Sequence, residues 1–280
     1  MNTTKKCLLF VVLVGLTAAM AAAQSWNHDP NSPIGPNRWG FLGDNYNSFA
    51  TCGSIVDPST LLTEVGKKQT PVNVVSAEAI TSVLQNIDFR YHHTSFVVEN
   101  TGHVVEVPYE NGSQIRIGPG LPDKYKLLQF HFHAPSEHTI DGKLADAELH
   151  LVHQNALGEL AVVGVLLQID NAHANPLFDT IMFGAPLNPG HHHLHAEINA
   201  EELLPESPSY YTYTGSLTTP PCTEGVHWFV MDQAVGISRA AVARLHLIVS
   251  MFPNYRGYPN NNRPVRPLNG RAVLFKPLPQ

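Results

Sequence analysis

The sequence predicts a single domain built mainly from β-strands, with a few short helices at its periphery. Short runs rich in β-branched and aromatic residues recur between turn signals such as Asn111-Gly112 and Asp141-Gly142. Only two segments have clear helical character. Because no internal repeat and no change in composition marks a linker, we expect one domain over residues 24–280.

The strand segments share alternating or continuous apolar character and are bounded by turn residues. The first helix is expected over Asn175–Met182 and the second over Ser238–Phe252, with Ser238 as the N-cap residue. The expected strands are Ser95–Val98, His103–Val107, Gln114–Ile117, Leu127–His133, Ala147–His153, Leu160–Ile169 and Val226–Met231.

The first 23 residues have the layout of a secretory signal peptide. Lys5 and Lys6 form a positive head, an apolar run extends from Cys7 to Leu16, and small alanines precede Gln24. The apolar run is too short to predict a membrane-spanning helix. We therefore expect residues 1–23 to be removed and the remaining chain to be periplasmic or secreted, without a membrane anchor.

Composition and charge are those of a water-soluble globular protein. The chain is 43% hydrophobic and 14% charged, with a formal net charge of −6. Nucleic-acid partners favour a strongly basic surface, so this balance argues against them.

Two cysteines, Cys52 and Cys222, follow the expected cleavage point. In an oxidising compartment two cysteines favour one disulfide, and two free thiols are the alternative.

The segment Leu127–His133 carries a candidate metal site. Side chains alternate between faces in a strand, so Gln129, His131 and His133 share one face, whereas Leu128, Phe130 and Phe132 share the other. The two imidazoles are then about 6.5–7 Å apart along the strand and can converge on one ion. A solitary His-x-His is more often structural, and the chain contains 16 histidines, so further evidence is needed.

The segment Ala147–His153 supplies that evidence. By the same alternation Glu148, His150 and Val152 share a face. If this strand pairs with the first, His150 completes a set of three histidines, which leaves a fourth tetrahedral position open, as in catalytic zinc sites. Glu148 and Gln129 are placed to accept hydrogen bonds from the ligating rings, as metal-bound histidines usually require.

Taken together, these segments resemble the alpha-class carbonic anhydrases, in particular their secreted and bacterial members. The resemblance covers nearly the whole chain after residue 23. Its most specific motifs are Gln129-Phe130-His131-Phe132-His133, Ser136-Glu137-His138-Thr139, Ala147-Glu148-Leu149-His150-Leu151-Val152-His153 and Ser216-Leu217-Thr218-Thr219-Pro220-Pro221.

The resemblance implies a large twisted, mostly antiparallel central sheet of about ten strands. It implies zinc-dependent, reversible hydration of carbon dioxide to bicarbonate and a proton, by attack of a zinc-bound hydroxide. Zn²⁺ would be held by His131, His133 and His150. The only partner implied is the small-molecule substrate, and the protein is expected to be a monomer or a homodimer.

Supporting roles follow from the same resemblance. Thr218 would orient the hydroxide, with its own hydroxyl directed by Glu137, and His103 would carry the proton to solvent. Gln129, Glu148 and the backbone carbonyl near Asn261 would accept hydrogen bonds from the ligating rings, and Thr219 would position bicarbonate. The apolar wall that receives carbon dioxide would consist of Val152, Val162, Leu217, Val226 and Trp228. The resemblance also implies a disulfide between Cys52 and Cys222.

Two segments depart from the family pattern. Members usually carry Trp-x-Tyr near the N-terminus, whereas this chain has Trp26-Asn27-His28, and His28 is expected either beside the proton path or in a rearranged segment.

The run from His191 to His195 follows Pro189-Gly190 and predicts a surface loop. That loop is either simply solvated or binds a metal ion.

The sequence disfavours two other functions. A catalytically silent relative used for binding typically lacks a zinc ligand, whereas this chain retains all three histidines. A zinc peptidase would carry His-Glu-x-x-His on a helix, and that motif is absent from the sequence.

Overall fold

A computed structural model of the protein describes residues 25–42, 50–53, 66–109, 112–117 and 124–278. The predicted signal peptide, residues 1–23, lies outside the described residues. Among the described residues there are two α-helices, α1 (Pro176–Gly184) and α2 (Arg239–Ser250). In chain order the strands are β1 (Asn73–Val74), β2 (Ile80–Thr81), β3 (Asp88–Arg90), β4 (Thr94–Asn100), β5 (Val105–Pro108), β6 (Gln114–Arg116), β7 (Lys124–His133), β8 (Thr139–Ile140), β9 (Lys143–Leu144), β10 (Ala147–Gln154), β11 (Leu160–Ile169), β12 (Gly190–Ile198), β13 (Tyr210–Ser216), β14 (Glu224–Met231), β15 (Val235–Ile237) and β16 (Leu274–Lys276).

A 13-stranded sheet forms the body of the described protein. Ten strands follow one path in the order β12-β4-β5-β7-β10-β11-β14-β13-β16-β2, and β3, β6 and β15 attach beside it. Most pairings are antiparallel, while β11 runs parallel to β14 and β15, and β16 parallel to β2. The predicted β-rich fold with a large, mostly antiparallel sheet is confirmed.

The central strands are buried on both faces. In β10 all residues from Ala147 to His153 are buried, and β11 is buried from Ala161 to Leu167. Two apolar clusters result, one on each side of the sheet. The larger includes Phe130 and Phe132 of β7, and the smaller includes Val152 and Trp228.

The two helices cover the larger cluster. Asn175 caps α1 and Ser238 caps α2, because each side chain accepts a hydrogen bond from a backbone N–H of the first helical turn. The predicted helices are therefore confirmed to within a few residues. No helix in the described part of the chain is long and apolar enough to cross a membrane.

The prediction for one residue of β7 was wrong. Leu128 was expected to share the core face with Phe130, but its side chain is 40% exposed, and Leu127 is buried instead. The register between β10 and β7 shifts at this point, since Val152 pairs with Gln129 and the next residue pairs with Leu127. Leu128 is the extra residue of a β-bulge. The bulge reverses which side chains face the core before Leu128 and leaves the expected alternation from Gln129 onwards intact.

The predicted surface loop from His191 to His195 was also wrong. These residues belong to β12, which pairs antiparallel with β4 at the edge of the sheet. Its side chains are exposed apart from Leu194 and Ile198. An edge strand with so little buried surface has no apolar alternation, so the sequence carried no strand signal.

The expected bond between Cys52 and Cys222 is present. It joins positions 170 residues apart, with a Cα–Cα distance of 4.8 Å. Both cysteines are fully buried beside Trp39. The Arg263 guanidinium donates a hydrogen bond of 2.7 Å to the Cys52 carbonyl and thereby links this region to the C-terminal segment.

Replacing Cys52 and Cys222 together by serine is expected to lower the free energy of unfolding by about 5 kcal/mol. The bond closes a loop of 170 residues and so restricts the unfolded chain. Urea unfolding followed by tryptophan fluorescence measures the change. A reductant should lower the midpoint of the parent and leave that of the variant unchanged. Equal midpoints for the oxidised parent and the variant would contradict the prediction.

Candidate metal centre

Three imidazoles meet on the smaller-cluster side of the sheet. Strands β7 and β10 pair antiparallel with His131 directly opposite His150. The ring centroids of His131 and His133 are 5.0 Å apart, those of His131 and His150 5.2 Å, and those of His133 and His150 4.7 Å. One nitrogen from each ring lies within 4.8 Å of those of the other two. The structure thus brings the three predicted metal ligands together.

Each of these rings is held by a hydrogen bond at its other nitrogen. Nδ1 of His133 lies 2.7 Å from the backbone carbonyl of Asn261. Nδ1 of His131 lies 2.8 Å from Oε1 of Gln129, and Nε2 of His150 lies 2.9 Å from Oε1 of Glu148. Since each acceptor is an oxygen, we infer that each of these nitrogens carries the proton. Nε2 of His131, Nε2 of His133 and Nδ1 of His150 then present lone pairs to a common point.

The same three atoms fit a zinc ion. Nε2 of His133 is buried and has no hydrogen-bond partner among the described residues. Burial lowers the pKa values of His131 and His133, so both rings are neutral and able to ligate. Three imidazole nitrogens with one open position are the donor set of catalytic zinc.

Glu148 is the centre of a buried hydrogen-bond network. Its Oε2 accepts 2.8 Å bonds from the backbone N–H groups of Glu137 and His138. Its Oε1 lies 2.7 Å from Nδ1 of His138. Burial alone would raise the pKa of Glu148, but His138 and His150 outweigh burial and hold it well below its usual range. Glu148 is therefore a carboxylate that fixes His150 in one orientation.

Sequence reasoning assigned no role to His138. Its second nitrogen, Nε2, lies 2.7 Å from the hydroxyl of Tyr213, so the fully buried ring joins Glu148 to β13. The signal available in the sequence was its place in the motif Ser136-Glu137-His138-Thr139.

Glu137 faces the metal ligands rather than the predicted threonine. Its Oε1 accepts a 2.8 Å bond from the backbone N–H of Arg263, and its Oε2 has no hydrogen-bond partner among the described residues. That oxygen lies 3.6 Å from Nε2 of His133 and 3.8 Å from Nδ1 of His150. The expected hydrogen bond from Thr218 is therefore not formed in this structure, although Thr218 is buried.

The predicted carbon dioxide wall is one contiguous apolar surface. Val152 pairs with Val162 across β10 and β11, and Val162 pairs with Trp228 across β11 and β14. The Trp228 ring lies 4.8 Å from that of His150, and its Nε1 donates to the Ser216 carbonyl at 2.9 Å. The five predicted wall residues, Val152, Val162, Leu217, Val226 and Trp228, belong to the same cluster.

Comparison with known proteins assigns this arrangement to a family. Residues 58–277 match the model of the eukaryotic-type carbonic anhydrases. The chain belongs to the carbonic anhydrase family. It is 38% identical to a carbonic anhydrase of Nostoc sp., over 91% of this chain and 88% of the relative.

Solved structures of the family show the same fold. An alpha-carbonic anhydrase from Thermovibrio ammonificans, in complex with the inhibitor sulfanilamide, is 35% identical with a TM-score of 0.76. The similarity covers 90% of this chain and 99% of that one. Dioscorin complexed with ascorbate is also similar, at 28% identity and a TM-score of 0.70, over 91% and 99% of the two chains.

The proton carrier expected from the carbonic anhydrase resemblance, His103, stacks on Trp26. Their ring centroids are 3.8 Å apart and the rings are almost parallel. Burial lowers the pKa of His103 to about 4. Its Nδ1 is buried without a hydrogen-bond partner among the described residues. The ring is therefore neutral at pH 7, and burial disfavours its protonation in this position.

His28 lies beside His133, one of the three candidate metal ligands. The ring is fully buried and its centroid is 6.3 Å from that of His133. Nδ1 is hydrogen-bonded to the hydroxyl of Tyr255, while Nε2 has no partner among the described residues. One nitrogen of His28 lies within 4.8 Å of a ligand atom of His133 and of Glu137. The N-terminal segment thus adds a fourth imidazole to this pocket.

Glu106 is a half-buried carboxyl next to the same pocket. It pairs with His131 across β5 and β7 and with Glu99 across β4 and β5. Burial, with a smaller contribution from Glu99, raises the pKa of Glu106 from 4.5 to about 7.

Glu106→Gln is expected to change how stability depends on pH. Between pH 4.5 and about 7 the folded parent holds a proton that the unfolded chain has released, so its stability falls as pH rises through this window. The variant lacks this slope and should be more stable than the parent above pH 7 by about 1–3 kcal/mol. Urea unfolding at pH 5, 6, 7 and 8 measures the difference.

Glu78→Gln, at an exposed position just before β2, serves as the control and should retain the slope of the parent. A Glu106→Gln variant with that same slope would show that Glu106 ionises normally.

Proposed function

We propose that this protein catalyses the reversible, zinc-dependent hydration of carbon dioxide to bicarbonate and a proton. The convergence of three imidazole nitrogens within 4.8 Å of one another is the observation that carries the proposal. Membership of the carbonic anhydrase family supports it independently.

His131, His133 and His150 would hold the zinc ion through Nε2, Nε2 and Nδ1. When bound, Zn²⁺ supplies a hydroxide nucleophile at neutral pH by lowering the pKa of water to about 7, a value characteristic of carbonic anhydrases themselves. The partners of the opposite ring nitrogens, Gln129, Asn261 and Glu148, fix the tautomer and the direction of each ring.

Carbon dioxide is small and apolar, so an apolar surface next to the nucleophile suits it. Val152, Val162 and Trp228 supply that surface beside His150. Holding the carbon atom there reduces the entropy that the reaction must lose. Leu217 and Val226 extend the same wall.

Thr218 and Thr219 follow Leu217 in the turn after β13. Thr218 would accept a hydrogen bond from the attacking hydroxide and so orient its lone pair. A rotation that brings the Thr218 hydroxyl to the free Oε2 of Glu137 would satisfy the buried carboxylate oxygen. Thr219 would hold the bicarbonate oxygen.

His103 would pass the released proton to solvent. The His103 ring stacks on Trp26 and also lies near the ring of Tyr255. The Tyr255 ring in turn lies near that of His28. A solvated imidazole has a pKa of about 6.5. Once the His103 ring has moved towards water, its free nitrogen can therefore accept the proton and release it.

The catalytically silent alternative is disfavoured by the site. A silent relative has no need to keep three imidazoles whose second nitrogens are each held by a hydrogen bond. It also has no need to leave Nε2 of His133 buried without a partner. Export to the periplasm or the medium is proposed from the signal-like segment 1–23, and the disulfide supports it, because such bonds persist in oxidising compartments.

Stopped-flow measurement of carbon dioxide hydration tests the proposed function. The zinc-loaded protein should be active, a chelator should abolish the activity, and added Zn²⁺ should restore it. Full activity in metal-free protein would refute the proposal.

Gln129→Ala is expected to weaken zinc binding by about 10–100-fold, the usual effect of losing such a ring partner, carbonic anhydrases included. The reason is that Nδ1 of His131 loses its acceptor. Competition with a chromogenic chelator measures the dissociation constant. Gln114→Ala, a similarly half-buried glutamine on β6, is the matched control and should bind zinc like the parent.

His103→Ala is expected to lower kcat in dilute buffer by about 100-fold, the lower end of the range by which a positioned acid–base group contributes to a proton-transfer step. The ratio kcat/KM should be unchanged, because the imidazole acts after the carbon–oxygen bond has formed. Added imidazole should restore part of the rate. A variant with the kcat of the parent in dilute buffer would exclude His103 as the proton carrier.

A further inference from the structure

Strand β12 concentrates histidines at the exposed edge of the sheet. His191, His192, His193 and His195 lie in nine residues, and all four are exposed. Within the described residues β12 pairs with β4 alone, so its other side is open to solvent. Polar side chains at such an edge discourage pairing with other chains, but that role requires no particular residue type and no particular arrangement of the rings.

The histidines are divided between the two faces of the strand. Nδ1 of His192 is 3.0 Å from the carbonyl of Gly184 in α1, and Leu194 packs against the helix-covered core. By alternation His191 and His193 face the other way. Their ring centroids are 5.6 Å apart and their planes are nearly perpendicular.

A carboxylate lies next to this pair. Glu99 of β4 is the register partner of His191, and side chains directly opposite in an antiparallel pair have Cβ atoms about 4.5–5.5 Å apart. Glu99 is half-buried and so is restrained beside His191. Two imidazoles and one carboxylate on one face of neighbouring strands are nitrogen and oxygen donors suited to a borderline divalent ion.

We propose that His191 and His193 chelate a divalent transition-metal ion at the sheet edge, with Glu99 as the adjoining carboxylate. Both imidazoles are exposed and therefore accessible to the ion, and water completes the coordination. The order of affinity should follow Cu²⁺ above Zn²⁺, with negligible binding of Mg²⁺, which prefers oxygen donors.

The proposed site is separate from the three-histidine centre but lies on the same face of the sheet. His191 pairs with Glu99, Glu99 with Glu106, and Glu106 with His131. His191 and His131 are therefore three strand spacings apart, which corresponds to about 14 Å. No ligand is shared, so both sites can be filled at once, and the inference stands whether or not the proposed carbonic anhydrase activity is correct.

Titration of the zinc-loaded protein with Cu²⁺ tests the proposal, with isothermal calorimetry for stoichiometry and electron paramagnetic resonance for the ligands. Retention of zinc is checked by elemental analysis. The parent should bind one additional Cu²⁺ per chain, with nitrogen hyperfine structure in the spectrum. Mg²⁺ in excess should not displace it.

Two double variants distinguish the chelate from a merely histidine-rich strand. H191N with H193N should lose the additional ion or bind it at least tenfold more weakly. H192N with H195N removes the same number of imidazoles from the same strand and should retain it. E99Q should weaken binding severalfold. Equal losses in the two double variants, or no additional Cu²⁺ in the parent, would overturn the proposal.

Discussion

The candidate centre depends on the antiparallel register of β7 with β10. That register puts His131 opposite His150 and Glu148 opposite His133, so three ring nitrogens meet without any contribution from a flexible loop. A slip of one residue would turn the histidines of one strand to the opposite face of the sheet. Burial of both faces opposes such a slip, since Phe130 and Phe132 fill the core under the helices. The same apolar packing that stabilises the sheet therefore sets the geometry of the three histidines.

Hydrogen bonds fix the ring orientations of the three histidines that the strand register brings together. A ring on a strand can still rotate about its side-chain bonds, and the second nitrogen of each ring is held by a different element of the fold. Gln129 belongs to β7 itself, Glu148 belongs to β10, and the Asn261 carbonyl comes from the C-terminal segment. Glu148 is in turn held by backbone N–H groups and by His138. An unpaired polar group in a buried network costs free energy. The network therefore favours the one arrangement of rings in which every hydrogen bond is made.

The pocket around the triad has two unlike sides. On the side of β11 and β14 it is apolar, with Val162 and Trp228 against His150. On the side of the N-terminal segment it carries imidazole and phenol groups, with His28 hydrogen-bonded to Tyr255 and packed near His133. An apolar substrate and a proton that must leave require different surroundings. The division of this pocket provides both within one site of the carbonic anhydrase fold.

The sequence by itself determined the β-rich class, the two helices with the Ser238 cap of the second, and the faces of β7 and β10 that carry Gln129, His131, His133, Glu148 and His150. These features follow from local periodicity and capping, which need only neighbouring residues. Only the tertiary structure decided the roles of residues whose partners are distant along the chain. It buried His28 against Tyr255, joined His138 to Tyr213, aimed Glu137 at the metal ligands and made β12 an edge strand. Such contacts depend on how strands are ordered in space, and no local pattern encodes that order.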